Sequence, residues 1–127
     1  MCVKTILVVD DDKITCEIIA AVLKDHGFAV KIAYSGEEAI DKFQRSKFNA
    51  VLTDLEMGKV DGNEVVRYVK LLSPQTIAVI ITGYSGREHE NLAYRNGADA
   101  FLAKPFDIDD LLRIIPAAVH LPECFCS

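Results

Sequence analysis

Five short apolar runs punctuate the chain: Thr5–Val9, Ala29–Ala33, Ala50–Thr53, Ile77–Ile81 and Ala100–Ala103. Four of them are nearly continuous hydrophobics rather than alternating ones, the pattern of strands covered on both faces. Amphipathic stretches lie between them. Ile14, Ile18 and Val22, with Ile19 and Leu23 alongside, form one stripe at helical spacing, closed by Gly27. Ser35 and Glu38 read as a capping box ahead of Ile40 and Phe43. Val65, Val69 and Leu72 make a third stripe, stopped by Pro74. The fourth stretch, Arg87 to Asn96, is mostly polar, with Leu92 and Ala93 its main apolar contribution. The fifth carries Ile108, Leu111, Leu112 and Ile115 behind Asp107 as cap. Pro116 should end or kink that helix, since it lacks the amide proton and clashes with the preceding turn.

Strands and helices alternating five times predict an α/β fold, (βα)5, with parallel strands joined by right-handed crossovers in a three-layer sandwich. The 127 residues, half of them hydrophobic, suffice for one core and are too few for two. Residues 1–120 are expected to form the domain, and 121–127 a tail or the start of a linker. The net charge of −5, with no run of Lys or Arg, argues against a nucleic-acid role. The apolar run behind Met1 is too short for a signal peptide, and nothing approaches the ~20 residues that span a bilayer. A soluble, cytoplasmic chain is expected. Cys2, Cys16, Cys124 and Cys126 then read as reduced thiols, because the C-x-C at the tail lacks partner ligands for a metal.

The chemistry lies at the strand ends. The first run ends in Asp10-Asp11-Asp12, the third in Asp54, the fourth in Thr82 and the fifth in Lys104. In a parallel sheet these positions share the carboxyl edge, where open α/β sheets place their ligand sites. Only the second strand offers little, Tyr34 and Ser35, and in the order 2-1-3-4-5 that strand lies at the outside. Carboxylates crowded at one edge repel each other unless a cation intervenes. Magnesium, or manganese, suits a few carboxylates, several waters and a phosphate oxygen. Asp54 can then serve as nucleophile and form an acyl-phosphate, with the metal and Lys104 offsetting the charge on the transferring group and Thr82 donating to one of its oxygens. Singly, each residue has a plainer reading. Asp12 is a helix cap, Thr a good strand residue and a lone Lys a surface group. Four matched strand ends are harder to dismiss.

With ILVVDDD, AVLTDLEM followed by Asp61-Gly62, VIITGY and GADAFLAKPF in this order, the chain resembles the receiver domain of two-component response regulators from Lys4 to about Val119. The resemblance implies the flavodoxin-like, CheY-like fold and a phosphorylation-operated switch. It makes Asp10 and Asp11 the acidic pair serving the metal, with the Glu56 backbone carbonyl completing that site. Asp54 would accept a phosphoryl group from a histidine kinase or a phosphotransfer protein. Thr82 and Lys104 would contact its oxygens, and Phe101 would be the aromatic whose rotamer follows Thr82. The Lys104-Pro105 bond would be cis. The surface of the fourth helix, fifth strand and fifth helix would change shape, meet an output partner or output domain, and offer a possible homodimer contact. No enzyme activity is implied beyond the domain's own phosphorylation and dephosphorylation, and no nucleic acid or membrane as partner.

Where the family commonly has proline, this chain has Gly58, which leaves the loop after Asp54 freer. Glu56 and Tyr84, two residues beyond Asp54 and Thr82, are placed to modulate the lifetime of the acyl-phosphate. Three other readings compete. A phosphatase of the haloacid-dehalogenase type would want a second Asp where Glu56 stands, and a cap. A receiver-like partner-binding module that is not phosphorylated would not need the acidic, Thr and Lys set. A nucleotide-binding flavodoxin-like module would need a glycine-rich loop after the first strand.

Overall fold

The computed structural model describes residues 4–83 and 86–119, the last five of these (115–119) by backbone alone. The elements run β1 (Thr5–Val9), α1 (Lys13–Asp25), β2 (Ala29–Ala33), α2 (Gly36–Arg45), β3 (Ala50–Asp54), α3 (Gly62–Leu72), β4 (Ile77–Thr82), α4 (Arg87–Arg95), β5 (Ala100–Ala103) and α5 (Ile108–Val119). All strand pairs are parallel, in the order β2-β1-β3-β4-β5. The expected (βα)5 topology is therefore the observed one. Tyr84, Cys2, Cys124, Cys126 and the segment 121–127 lie outside the described residues.

Side chains alternate across the pleat, so each strand feeds two cores. Ile6, Val8, Leu52, Val79 and Ile81 pack with Cys16, Ile19 and Leu23 of α1 and Leu111 of α5 on one face. Leu7, Val9 and Val51 meet Ala39 and Phe43 of α2 and Val65 and Val69 of α3 on the other, where Ala78 and Ile80 meet Val66 of α3 and Ala93 of α4. The sheet is thus the middle of three layers. β2, at the edge, is covered on fewer sides, and its exposed positions alternate with half-buried ones. Lys42 of α2 donates its ammonium to the Ile32 carbonyl there, which blunts the open edge.

Local chemistry fixes the ends. Asp12 accepts from Ile14 N at 3.1 Å and caps α1, while Gly27, at φ 91, takes the left-handed turn after it. Ser35 Oγ accepts from Glu38 N, and Glu38 reaches back one residue beyond the cap to the Tyr34 amide. That amide, ahead of the nearby Lys42, holds the Glu38 carboxyl below its ordinary pKa. Asp107 accepts from Asp110 N at 2.9 Å and caps α5.

The buried helix faces depart from the expected stripes. On α1, Ile14 and Ile18 are exposed, and Cys16, Ile19, Ala20 and Leu23 make the core face instead. Leu72 is also exposed, and Val66 takes the inward place on α3. Leu92 faces solvent, leaving Ala93 as the buried residue of α4. These helices carry apolar residues beyond one stripe, so helical period alone left the choice open. Pro116 does not end α5, which continues to Val119. A proline removes one hydrogen bond of the ladder and leaves its neighbours' bonds in place.

Candidate functional site

The parallel strands deliver their last residues to a common edge. β3 and β4 each extend one residue beyond the predicted runs, so Asp54 and Thr82 are the final residues of their strands. Register places Asp54 opposite Ile81 and Thr82 opposite Ala103, the residue before Lys104. The Lys104 amide donates to the Thr82 carbonyl at 2.7 Å, which draws the β5 exit against β4. The adjoining Lys104–Pro105 peptide is cis.

The charged groups converge. Lys104 Nζ lies 3.2 Å from Asp10 Oδ2 and 3.6 Å from Asp54 Oδ1. Asp10 is buried at 4 % exposure, Asp54 is half-buried and Asp11 is exposed. Carboxylate oxygens of all three acids fall within 4.8 Å of one another. Asp10 Oδ1 also accepts from the Asp12 amide, and the Cys16 thiol donates to the Asp10 carbonyl, tying the end of β1 to the first turn of α1. Burial, then the charge of Asp10, pushes the Cys16 thiol up to about 11, so it is a packing group rather than a nucleophile.

Three acids face a single ammonium, and the electrostatics record the excess. Burial raises the Asp54 pKa above the ordinary carboxylate value, and the charge of Asp10 raises it further, against the opposing pull of Lys104. Burial disfavours the Lys104 cation, yet the charges of Asp54 and Asp10 outweigh it and hold its pKa above that of free lysine. An all-oxygen set with surplus negative charge, open on the Asp11 side, fits a hard divalent cation that keeps part of its water shell.

Thr82 is fully buried at this edge. Phe101 is half-buried on β5, opposite Ile80, against the cluster of Leu55, Val66, Ala78, Ile80, Ala93 and Ala98. Glu56, two residues beyond Asp54 in the chain, is exposed. One contributor escaped sequence reasoning: a Cβ at Gly62 would strike the Asp54 carbonyl oxygen and lie 2.9 Å from Leu55 Cα. The Asp61-Gly62 pair entering a helix was the available signal. A larger groove, about 640 Å³, lies between α2 and α3 and is lined by Phe43, Arg45, Phe48, Tyr68 and Leu72. Phe48 precedes β3, so this groove is at the opposite edge of the sheet from the acids.

The comparisons with known proteins agree with this arrangement. The response regulator receiver domain family model matches residues 6–116. The chain is 37 % identical over 114 residues to the transcriptional regulatory protein ZraR of Escherichia coli, covering 90 % of this chain and 26 % of that protein. It therefore spans about a quarter of that relative's length. Among solved structures it resembles a CheY-like receiver domain protein from Methanospirillum hungatei, with a TM-score of 0.86, 32 % identity and coverage of 90 % and 91 % of the two chains. It also resembles a Burkholderia pseudomallei response regulator with a phosphorylated aspartic acid, a calcium ion and citrate, with a TM-score of 0.83, 30 % identity and coverage of 87 % and 65 %. The fold, the strand-end acids and these matches agree: the chain belongs to the response regulator receiver domain family.

Proposed function

We propose that the chain is a phosphoacceptor switch that receives a phosphoryl group on Asp54 from a histidine kinase or phosphotransfer protein. The observation that carries this reading is the convergence of Asp10, Asp11 and Asp54 within 4.8 Å beside Lys104. The phosphorylated aspartic acid and calcium ion of the Burkholderia relative support it. Asp10, Asp11 and Asp54, with the Glu56 carbonyl, would hold magnesium or manganese, which supplies positive charge to the phosphoryl oxygens. A carboxylate oxygen of Asp54 attacks phosphorus as the P–N bond to the donor imidazole breaks, and the imidazole leaves with its electron pair and takes a proton. Lys104, kept cationic by its two acids, balances the equatorial oxygens, and the Thr82 hydroxyl donates to one of them.

The product carries close to two negative charges where one carboxylate stood. Thr82 moves toward them, Phe101 turns into the space released, and the α4-β5-α5 surface changes shape for its output partner or for a second copy. α4 is suited to shifting: Ala93 is its one buried residue, and no side chain caps its N-terminus at Gly86. The reading places the chain in the cytoplasm, in keeping with the lack of any helix among the described residues long and apolar enough to cross a membrane.

Incubation of the whole chain with acetyl phosphate and magnesium should add one phosphoryl group by intact mass, and none after chelation. No addition together with no binding of beryllofluoride would overturn phosphorylation and favour a partner-binding module. Glu56 and Tyr84 are proposed to set the product's lifetime, Tyr84 by shielding it and Glu56 by repelling or orienting the attacking water. Replacing both by alanine should change the dephosphorylation rate about tenfold, less than the ~10²–10⁴-fold of a positioned acid or base, because both groups act on the attacking water's approach rather than on its proton. An unchanged rate would exclude that role.

A further inference from the structure

α2 and α3 share a core cluster through Phe43, Val65 and Val69, and both end at the sheet edge remote from the acids, at Arg45 and Leu72. The groove of about 640 Å³ lies at those two ends. Its walls are braced. The Thr76 hydroxyl donates to the Phe48 carbonyl at 2.9 Å and accepts from that of Ser73 at 2.7 Å, tying the two connections that follow the helices. The Gln44 side-chain amide donates to the Tyr68 hydroxyl at 2.6 Å and bridges the helices themselves. Phe43 and Phe48 stack on each other with ring centroids 5.9 Å apart. A groove held in this way is preformed, and its volume falls within the ~300–1,000 Å³ of small-molecule sites.

The charge of the lining sets the ligand. Arg45 and Lys47 line the groove, and among the described lining residues none is an acid. Lys31 reaches Ser46 Oγ at 3.5 Å, which brings a third cation to the same wall. The nearest acid, Asp41, pairs with Arg45 through Nε alone, at 3.2 Å, so the ion pair does not use the two terminal amino groups. Those two groups form the fork that grips a carboxylate. The carbonyl ends of α2 and α3 oppose an anion with roughly half a charge each. The Ser46 and Ser73 amides already bond two of those carbonyls, of Lys42 and Val69. The apolar share comes from the Tyr68 ring and from Leu72, which is 54 % exposed. The Tyr68 hydroxyl, having accepted from Gln44, keeps its own proton to donate. We propose that this groove binds a small carboxylate with an apolar body, the acid on the Arg45 fork and the body against Tyr68 and Leu72. The site uses none of the groups at the acidic edge, so it stands apart from the phosphorylation reading.

The test is an amide chemical-shift titration of the full chain with 2-naphthoate, and with 2-naphthamide as its uncharged match. Naphthoate should saturate with a Kd of about 1 mM or tighter, the affinity expected of a ligand of so few atoms. Its shifts should concentrate on residues 44–47 and 68–75. Naphthamide should bind about fivefold more weakly, the measure of one exposed charge pair. Arg45→Gln should cost naphthoate about fivefold and leave naphthamide within about twofold, and Arg45→Lys, which keeps the charge without the fork, should fall between. Asp41→Asn removes the acid that shares Arg45 and should bind naphthoate at least as tightly as the native chain. Both side chains are exposed, so these variants keep the fold. Equal affinity for acid and amide in the native chain would overturn the proposal. So would shifts centred on another surface, or no saturation by about 10 mM. Shifts at these residues that grow with protein concentration before any ligand is added would assign the groove to a second copy of the chain instead.

Discussion

Asp54→Asn is expected to abolish phosphoryl transfer and, in the same measurement series, to make the metal-free protein more stable at neutral pH. The first effect comes from chemistry: an amide oxygen cannot form the acyl-phosphate, and no other acid at this edge stands at the end of β3 between Asp10 and Lys104. The second comes from the electrostatics. Burial, and then Asp10, raise the pKa of Asp54 above its unfolded value, so the folded chain holds this proton more tightly than the unfolded one. A group whose folded pKa is raised favours folding at low pH and ceases to do so as pH rises through the folded value. The ionised carboxylate thus counts against the fold at pH 7, and the neutral amide of similar shape removes that penalty.

The expected rise in melting temperature is roughly 3–6 °C at pH 7, the shift that ~1 kcal/mol gives in a domain of this size. It should shrink as pH is lowered through the ordinary aspartate value of 3.8, below which the carboxyl is protonated in the unfolded chain as well as in the folded one. Magnesium should narrow the gap from the other side, since a ligand of the folded state stabilises the native chain more than a variant lacking one of its three acids. Calorimetry of both proteins at pH 4 and pH 7, with and without magnesium, checks all of this. A variant melting below the native chain at pH 7 without metal would show that Lys104 outweighs burial and Asp10.

That both effects hang on one residue explains how much was legible beforehand. The site could be read because a parallel sheet turns a sequence property, the residue type at the end of each apolar run, into a spatial one. Asp10, Asp54, Thr82 and Lys104 needed only strand order to become neighbours. What the strands do not encode stayed hidden. The sequence cannot say that Lys104 lies closer to Asp10 than to Asp54, since that depends on side-chain torsions beyond the strand end. Ile14 and Ile18 belong to the predicted stripe yet lie outward, because α1 is apolar on more than one side and only packing chooses the face with Cys16, Ile19 and Leu23. Gly58 was visible as a departure from proline, but its positive φ is a property of the whole loop.

Lys104→Met is the second large effect, and it should move rate and metal affinity in opposite directions. Methionine keeps most of the lysine stem, so the variant chiefly deletes one charge held 3.2 Å from Asp10 and 3.6 Å from Asp54. Phosphorylation by acetyl phosphate should slow by about 10²-fold, the loss typical when one donor to a developing anion is removed. Magnesium should bind roughly tenfold more tightly, because a cation that repelled it a few ångströms away is gone and the acids are left uncompensated. Without metal the variant should be less stable than the native chain, since Asp10 is buried at 4 % exposure and loses its counter-ion. Saturating magnesium should restore most of that loss. The pairing of slower transfer with tighter metal binding is what distinguishes Lys104 as a participant in the reaction from Lys104 as a brace for the fold. A brace would lose stability and weaken magnesium binding together. If the transfer rate of Lys104→Met matches the native chain at saturating magnesium, the lysine serves only to hold its two acids in place.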